Sequence, residues 1–336
     1  MSRVEALMLP AGGHCVPMPA LGLRVPPRTP HSLRWRAGSP EAVVARAVGL
    51  GLGLDVAAGA EDVVAGALAA SRTDEGSAFV TVTVTAGPAG PGPREAFLEA
   101  GRRLRHPVVD LALLPGAPFG AAAAAAAAPR GGPSQADVGD LDFDPSPAPD
   151  PRQVHAWVDA WRELLALRDE GRIRVVGTAG AEAVDLALLM DSTGEAPAVN
   201  QIELHPYRAR RDLRGFHAQH GIATAALRPL ATGAVLLHEP TVHRVALAMG
   251  ASPAQVVLAW QWLHGDAVVS TATRPRQLLD QVASLDLRLS PEHVALLDGL
   301  DGGTPAPGPT GRPVPRRRRA LRRPSAALRR FMSPRR

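Results

Sequence analysis

The 336-residue sequence predicts an α/β fold: a closed (β/α)8 TIM barrel with an N-terminal β-hairpin, a long insertion after strand 4 and a disordered basic C-terminal tail. Three observations carry that expectation. Strand-like apolar runs recur eight times along the chain. Amphipathic stretches of helical length separate them, except between the first pair, and repeated βα units imply a parallel sheet. Two segments, 115–150 and 304–336, stand outside this repeating pattern.

Residues 20–25 form the first barrel strand and 52–56 the second. Helical spacing follows over 61–71, then residues 78–85 alternate valine with threonine as a strand does. Residues 94–105 read as a helix and 108–114 as a buried strand. The helix at 154–169 sets Trp157, Trp161, Leu164 and Leu165 on one side. Strand 173–177 and helix 181–190 follow, then strand 199–204 and helix 208–220. Strand 222–226, helix 253–263, strand 267–271 and helix 275–283 complete the count. Eight βα units in this length suit a closed barrel better than an open sheet, so 1–303 is one domain and 304–336 an Arg/Pro-rich tail. The Ala/Pro/Gly-rich insertion at 115–150 reads as disordered.

Composition narrows the function classes. The single cysteine, Cys15, forbids an intrachain disulfide and a cysteine-rich zinc site, which suits a cytoplasmic protein. Nothing near the start resembles a signal segment, and the apolar tract at 121–128 is too short to span a bilayer, so no transmembrane segment is expected. All 37 basic residues are arginine, and 11 of them lie in 312–336, beyond the last acidic residue, Asp301. That leaves 26 arginines against 32 acidic residues in the rest, a mildly acidic body with a cationic appendage. The appendage reads as a solvated end or as a contact for nucleic acid or an anionic membrane surface. Histidines lack metal-type spacing; His217 and His220 are expected on a surface face. Gly49, Gly51 and Gly53 precede a strand, the wrong order for a phosphate loop.

Tyr207 and Asn200 are the only Tyr and Asn, and both lie in the run Ala198-Val199-Asn200-Gln201-Ile202-Glu203-Leu204-His205-Pro206-Tyr207. This run resembles the sixth-strand signature of the aldo-keto reductase family. The likeness extends to Met18-Pro19-Ala20-Leu21-Gly22-Leu23, to the stretch from Trp161 to Gly177, and to Ser252-Pro253-Ala254-Gln255-Val256-Val257-Leu258-Ala259-Trp260, covering about residues 9–303. The resemblance implies NADP(H)-dependent carbonyl reduction by a Tyr-Lys-Asp-His tetrad at the carboxyl ends of the strands. NADP(H) is the cofactor it implies, or another small molecule if the site has changed.

Matched to that pattern, the tetrad keeps one member, Asp55, in Gly53-Leu54-Asp55-Val56. The tyrosine position holds Ala58 or Ala60, the lysine position Thr83 or Val84, and the histidine position Pro115. Among the cofactor positions, Gln201 is retained and Arg228 stands at the end of strand seven, beside Leu227 at the stacking position. Thr271 replaces the lysine that grips the 2′-phosphate, and Asp280 and Gln281 stand where the adenine is contacted. No metal ligand is implied. The expectation is a pseudoenzyme; the alternatives are a weak or altered reductase, or a barrel carrying a polyanion-binding tail. Asp55 reads as a leftover catalytic group or as a structural carboxylate, the latter favoured without its lysine. Gln201 reads as a nicotinamide contact or, preferably, as a buried amide serving loop backbone. His205, part of the signature, and His106 read as structural rather than as replacement acid–base groups. Arg24 stands where the family has glycine, one strand from Asp55, and is expected to pair with it. Arg228 is expected to point toward the same mouth.

Overall fold

A computed structural model describes residues 6–11, 14–26, 39–71, 78–85, 91–106, 108–117, 150–230 and 234–302. Most of the insertion and the whole tail therefore lie outside the described residues, and so does the expectation of disorder placed on them.

A two-stranded antiparallel hairpin comes first, β1 (Ala6–Ala11) with β2 (His14–Pro19), pairing Ala6 with Pro19 and Ala11 with His14. Eight parallel strands follow: β3 (Leu21–Val25), β4 (Gly53–Val56), β5 (Val80–Thr83), β6 (Val109–Leu114), β7 (Ile173–Ala179), β8 (Val199–Glu203), β9 (Ala223–Leu227) and β10 (Ala267–Ser270). They close into a barrel in chain order, with β10 pairing both β9 and β3. Helices run between them: α1 (Pro40–Gly49), α2 (Glu61–Ser71), α3 (Pro93–Leu104), α4 (Pro151–Asp169), α5 (Ala183–Thr193) and α6 (Arg211–Gln219). After β9 come α7 (Ala234–Leu237), α8 (Pro240–Met249) and α9 (Pro253–Leu263); after β10, α10 (Pro275–Val282) and α11 (Pro291–Asp298).

The strands sort their side chains by alternation. Leu21, Leu23 and Val25 of β3, Leu54 and Val56 of β4, and Val80 and Val82 of β5 join Val43, Val64 and Trp161 of the helices in the main apolar core. Their neighbours point into the barrel. The hairpin floors the other end of that interior: Leu9, Val16 and Met18 pack with Phe79, Leu111, Val175, Val199, Ala225 and Ala267. Gly177 on β7 is required by crowding, because a Cβ there would lie 2.6 Å from Val199 Cγ1 and from the Val199 carbonyl oxygen.

Helix starts follow local chemistry. Asp150 accepts from the Arg152 amide at 2.9 Å. Ser252 and Gln255 form a reciprocal capping pair at 3.2 and 2.9 Å, with Pro253 supplying a preset φ in the first turn.

Two expectations need correction. The first pair of barrel strands is separated by a helix after all, α1, whose Val43, Val44, Ala47 and Val48 are buried at helical spacing. Its three valines disguise it locally as a strand. His217 is buried, at 1% exposure, rather than on a surface face. It shares the inner side of α6 with Leu213, four residues earlier. Among the described residues no helix is long and apolar enough to cross a membrane.

Candidate active site

In barrels of this type the carboxyl ends of the strands carry the chemistry. On β3 the outward Leu23 and Val25 leave Arg24 facing in, and on β4 the outward Leu54 and Val56 do the same for Asp55. Parallel pairing sets Arg24 directly beside Asp55. Arg24 Nη1 donates to Asp55 Oδ1 at 2.9 Å and to Oδ2 at 3.0 Å. From the opposite wall, four strands away in either direction, Gln201 Nε2 on β8 donates to Oδ2 at 2.8 Å. Burial holds the Asp55 carboxyl above its ordinary value, while the Arg24 charge and the hydrogen bonds from Gln201 and Arg24 draw it back down.

The expected Arg24–Asp55 pair is thus present. Gln201 differs from expectation: its amide reaches neither loop backbone nor open space, but Asp55.

The remaining candidates do not converge on that trio. Thr271 is exposed, and its carbonyl accepts from Gln281 Nε2 at 3.1 Å. Gln281 is mostly buried by that contact. Exposed Asp280 offers its backbone carbonyl to Gln255 Nε2 at 3.2 Å. These three form a separate group, Thr271 just after β10 and the other two on α10. Arg228 is exposed and adopts φ 52°, and its charge acts on Glu203.

At the tetrad positions, Ala60 is fully buried and Ala58 exposed. Val84 packs into the outer core, and the buried Thr83 hydroxyl has no partner among the described residues. The Pro115 carbonyl accepts from Trp157 Nε1 at 3.0 Å.

The sequence reading passed over Glu203. It follows Val199 and Gln201 at two-residue spacing on β8, and that alternation is the signal that points it inward. The His205 imidazole, with Nε2 3.7 Å from Oε1, chiefly holds the Glu203 carboxyl down at about 2; Arg208, 2.8 Å away, and Arg228 add to this, and burial opposes it. His205 is itself buried and meets Tyr207 edge-on. The Tyr207 hydroxyl donates to Glu239 at 2.5 Å, which ties the signature to the start of α8.

Asn200 faces the helices. It accepts from Thr178 at 3.0 Å and donates to the Ala181 carbonyl at 2.8 Å and to His217 Nε2 at 3.1 Å. With Nε2 accepting, Nδ1 carries the proton and donates to Thr224 Oγ1 at 2.9 Å. A groove of about 740 Å³ runs outside the barrel along α3, lined in part by Arg94, Phe97, Arg102 and Arg172, and touches none of the candidate site.

The Aldo/keto reductase family model matches residues 143–301. An aldo-keto reductase of Mycobacterium sp. (strain KMS) is 40% identical over 152 residues, 45% of this chain and 55% of that protein. The 2,5-diketo-D-gluconic acid reductase B of Corynebacterium sp. (strain SHS752001) is 35% identical over 167 residues, 50% of this chain and 59% of that protein. The chain spans little more than half the length of these curated relatives. A solved structure of a Gox0644 point mutant in complex with NADPH superposes with TM-score 0.69 at 27% identity, covering 90% of this chain and 96% of that one. The β8 signature, with Asn200 and Tyr207 buttressing the barrel from outside, lies inside the span, residues 143–301, over which the chain matches the Aldo/keto reductase family model.

Proposed function

We propose that this barrel descends from NADP(H)-dependent carbonyl reductases and no longer performs the reaction. The observation that carries the reading is the state of Asp55: among the described residues its cation is Arg24, and its other side-chain partner is the Gln201 amide. Reduction of a carbonyl leaves an oxyanion that needs a proton. At the matching positions stand Ala58 or Ala60, Thr83 or Val84, and Pro115, and none of these side chains supplies a proton at neutral pH.

NADP(H) is the cofactor the family implies, and the Gox0644 neighbour was solved with NADPH. The residues present do not fit the nicotinamide end. The Gln201 amide is engaged by a buried carboxylate, and an arginine side chain stands beside it.

Loss of positioned acid catalysis alone costs about 10²–10⁴-fold in rate. The test is NADPH oxidation with a panel of aldehydes and ketones. The expected outcome is no turnover above background; turnover that Asp55→Asn abolishes would refute the reading. The composition of residues 312–336, with 11 arginines and no acidic residue, favours a second reading in which this segment binds polyanions.

A further inference from the structure

We infer that Arg24 is a gate residue, locking the barrel mouth against the nicotinamide ring, so that the protein does not distinguish an NADP dinucleotide from the same molecule without that ring. The inference rests on the reading of the mouth as a lapsed reductase site and adds what closes it.

Three observations combine. The Arg24–Asp55–Gln201 contacts cross the interior from β3 and β4 to β8, the opposite wall, at 2.8–3.0 Å. A flat ring entering from the carboxyl ends of the strands meets this bridge. The bridge is also hard to open. Asp55 is 2% exposed, so a departing Arg24 leaves a buried carboxylate without its cation. The two residues are held in register by adjacent parallel strands, so neither can shift without its strand. Arg24 itself is 29% exposed, so part of its side chain is open to the surface while the guanidinium holds the buried carboxylate.

A ring that needs this space must break the pair, an obstacle of about 100-fold or more in affinity. Arg24 touches no reacting group, and its role is steric and electrostatic exclusion.

The experiment compares the affinities of NADP⁺ and 2′-phospho-ADP-ribose for the full chain by calorimetry. Wild type is expected to bind the two within about twofold of each other, since the ring adds no contact. Arg24→Gly removes the bridge. Because it also strands the Asp55 carboxylate, Arg24→Gly/Asp55→Asn is measured alongside, with thermal unfolding to confirm that both fold. In the variants NADP⁺ is expected to bind at least about tenfold tighter than the truncated molecule. A wild type that already prefers NADP⁺ tenfold overturns the gate, and so do folded variants with no preference or no binding. The two readings fail separately. Wild type that prefers NADP⁺ yet reduces nothing removes only the gate. Reductase turnover in Arg24→Gly but not in wild type supports the gate and removes the claim that the chemistry is lost with the tetrad.

Discussion

Replacing Arg24 by methionine takes the cation from a carboxylate that is 2% exposed and already held above its ordinary value by burial. Breaking a buried pair from one side costs about 3–5 kcal/mol, whereas replacing both partners costs much less. Arg24→Met is therefore expected to lose about 3 kcal/mol in urea unfolding, and Arg24→Met/Asp55→Asn to recover most of it. Equal losses in the single and double variants would mean that Arg24 contributes by packing instead. The pair was legible before any coordinates, because Arg24 stands at the end of the first barrel strand where the resembled family has glycine, and that strand neighbours the one carrying Asp55. The Gln201 contact was not legible. It joins residues 146 positions apart across the interior, and no local pattern records which side chain faces which over a closed barrel.

Two elements carry opposing pH responses. On α6, burial chiefly, with the charges of Arg210 and Arg214, lowers His217 to about 4. The unfolded chain takes up that proton near pH 6.5 and the folded one does not, so this contribution is lost as pH falls from about 6.5 to 4. Asp266, just before β10, is raised to about 7 by burial, with Arg214 opposing. Its folded form binds the proton first, so stability rises as pH falls from about 7 to 4. The two slopes nearly cancel in wild type. His217→Gln leaves only the second, and its stability at pH 4.5 relative to pH 7 is expected to exceed the wild-type difference by on the order of 2–3 kcal/mol. An unchanged pH profile would place the His217 proton elsewhere. The N-terminal hairpin makes a separate contribution. Leu9 is fully buried against the barrel floor, so Leu9→Ala is expected to cost about 2–5 kcal/mol in the same assay. A loss below about 1 kcal/mol would make the hairpin an ornament rather than a plug.

Over the whole sequence, positive charge is concentrated in the last stretch of chain. Among the described residues the apolar core extends to Leu300. Residues 312–336 hold 11 arginines and only a few apolar side chains, among them Leu321, Leu328, Phe331 and Met332. Deleting 312–336 is expected to leave the melting temperature within about 2 °C, since little apolar surface is removed. If the polyanion reading holds, the same deletion abolishes salt-sensitive binding to DNA or anionic vesicles. A deletion that unfolds the barrel would end the modular picture.

Sequence alone carried the barrel and the family resemblance, and it shows which residues stand at the positions matched to the tetrad. Strand period, helix spacing and the run from Ala198 to Tyr207 are local patterns, and an absent side chain is visible without coordinates. Tertiary structure alone decided what the survivors do. Asn200 and His217 lock α6 to the barrel from outside, Glu203 is held ionised by neighbours at the end of β8, and Gln201 closes on Asp55. The physical reason is that each outcome depends on which polar groups meet where water is excluded. Closure of eight strands brings together residues that are far apart along the chain, so burial and partner are fixed only by the folded barrel.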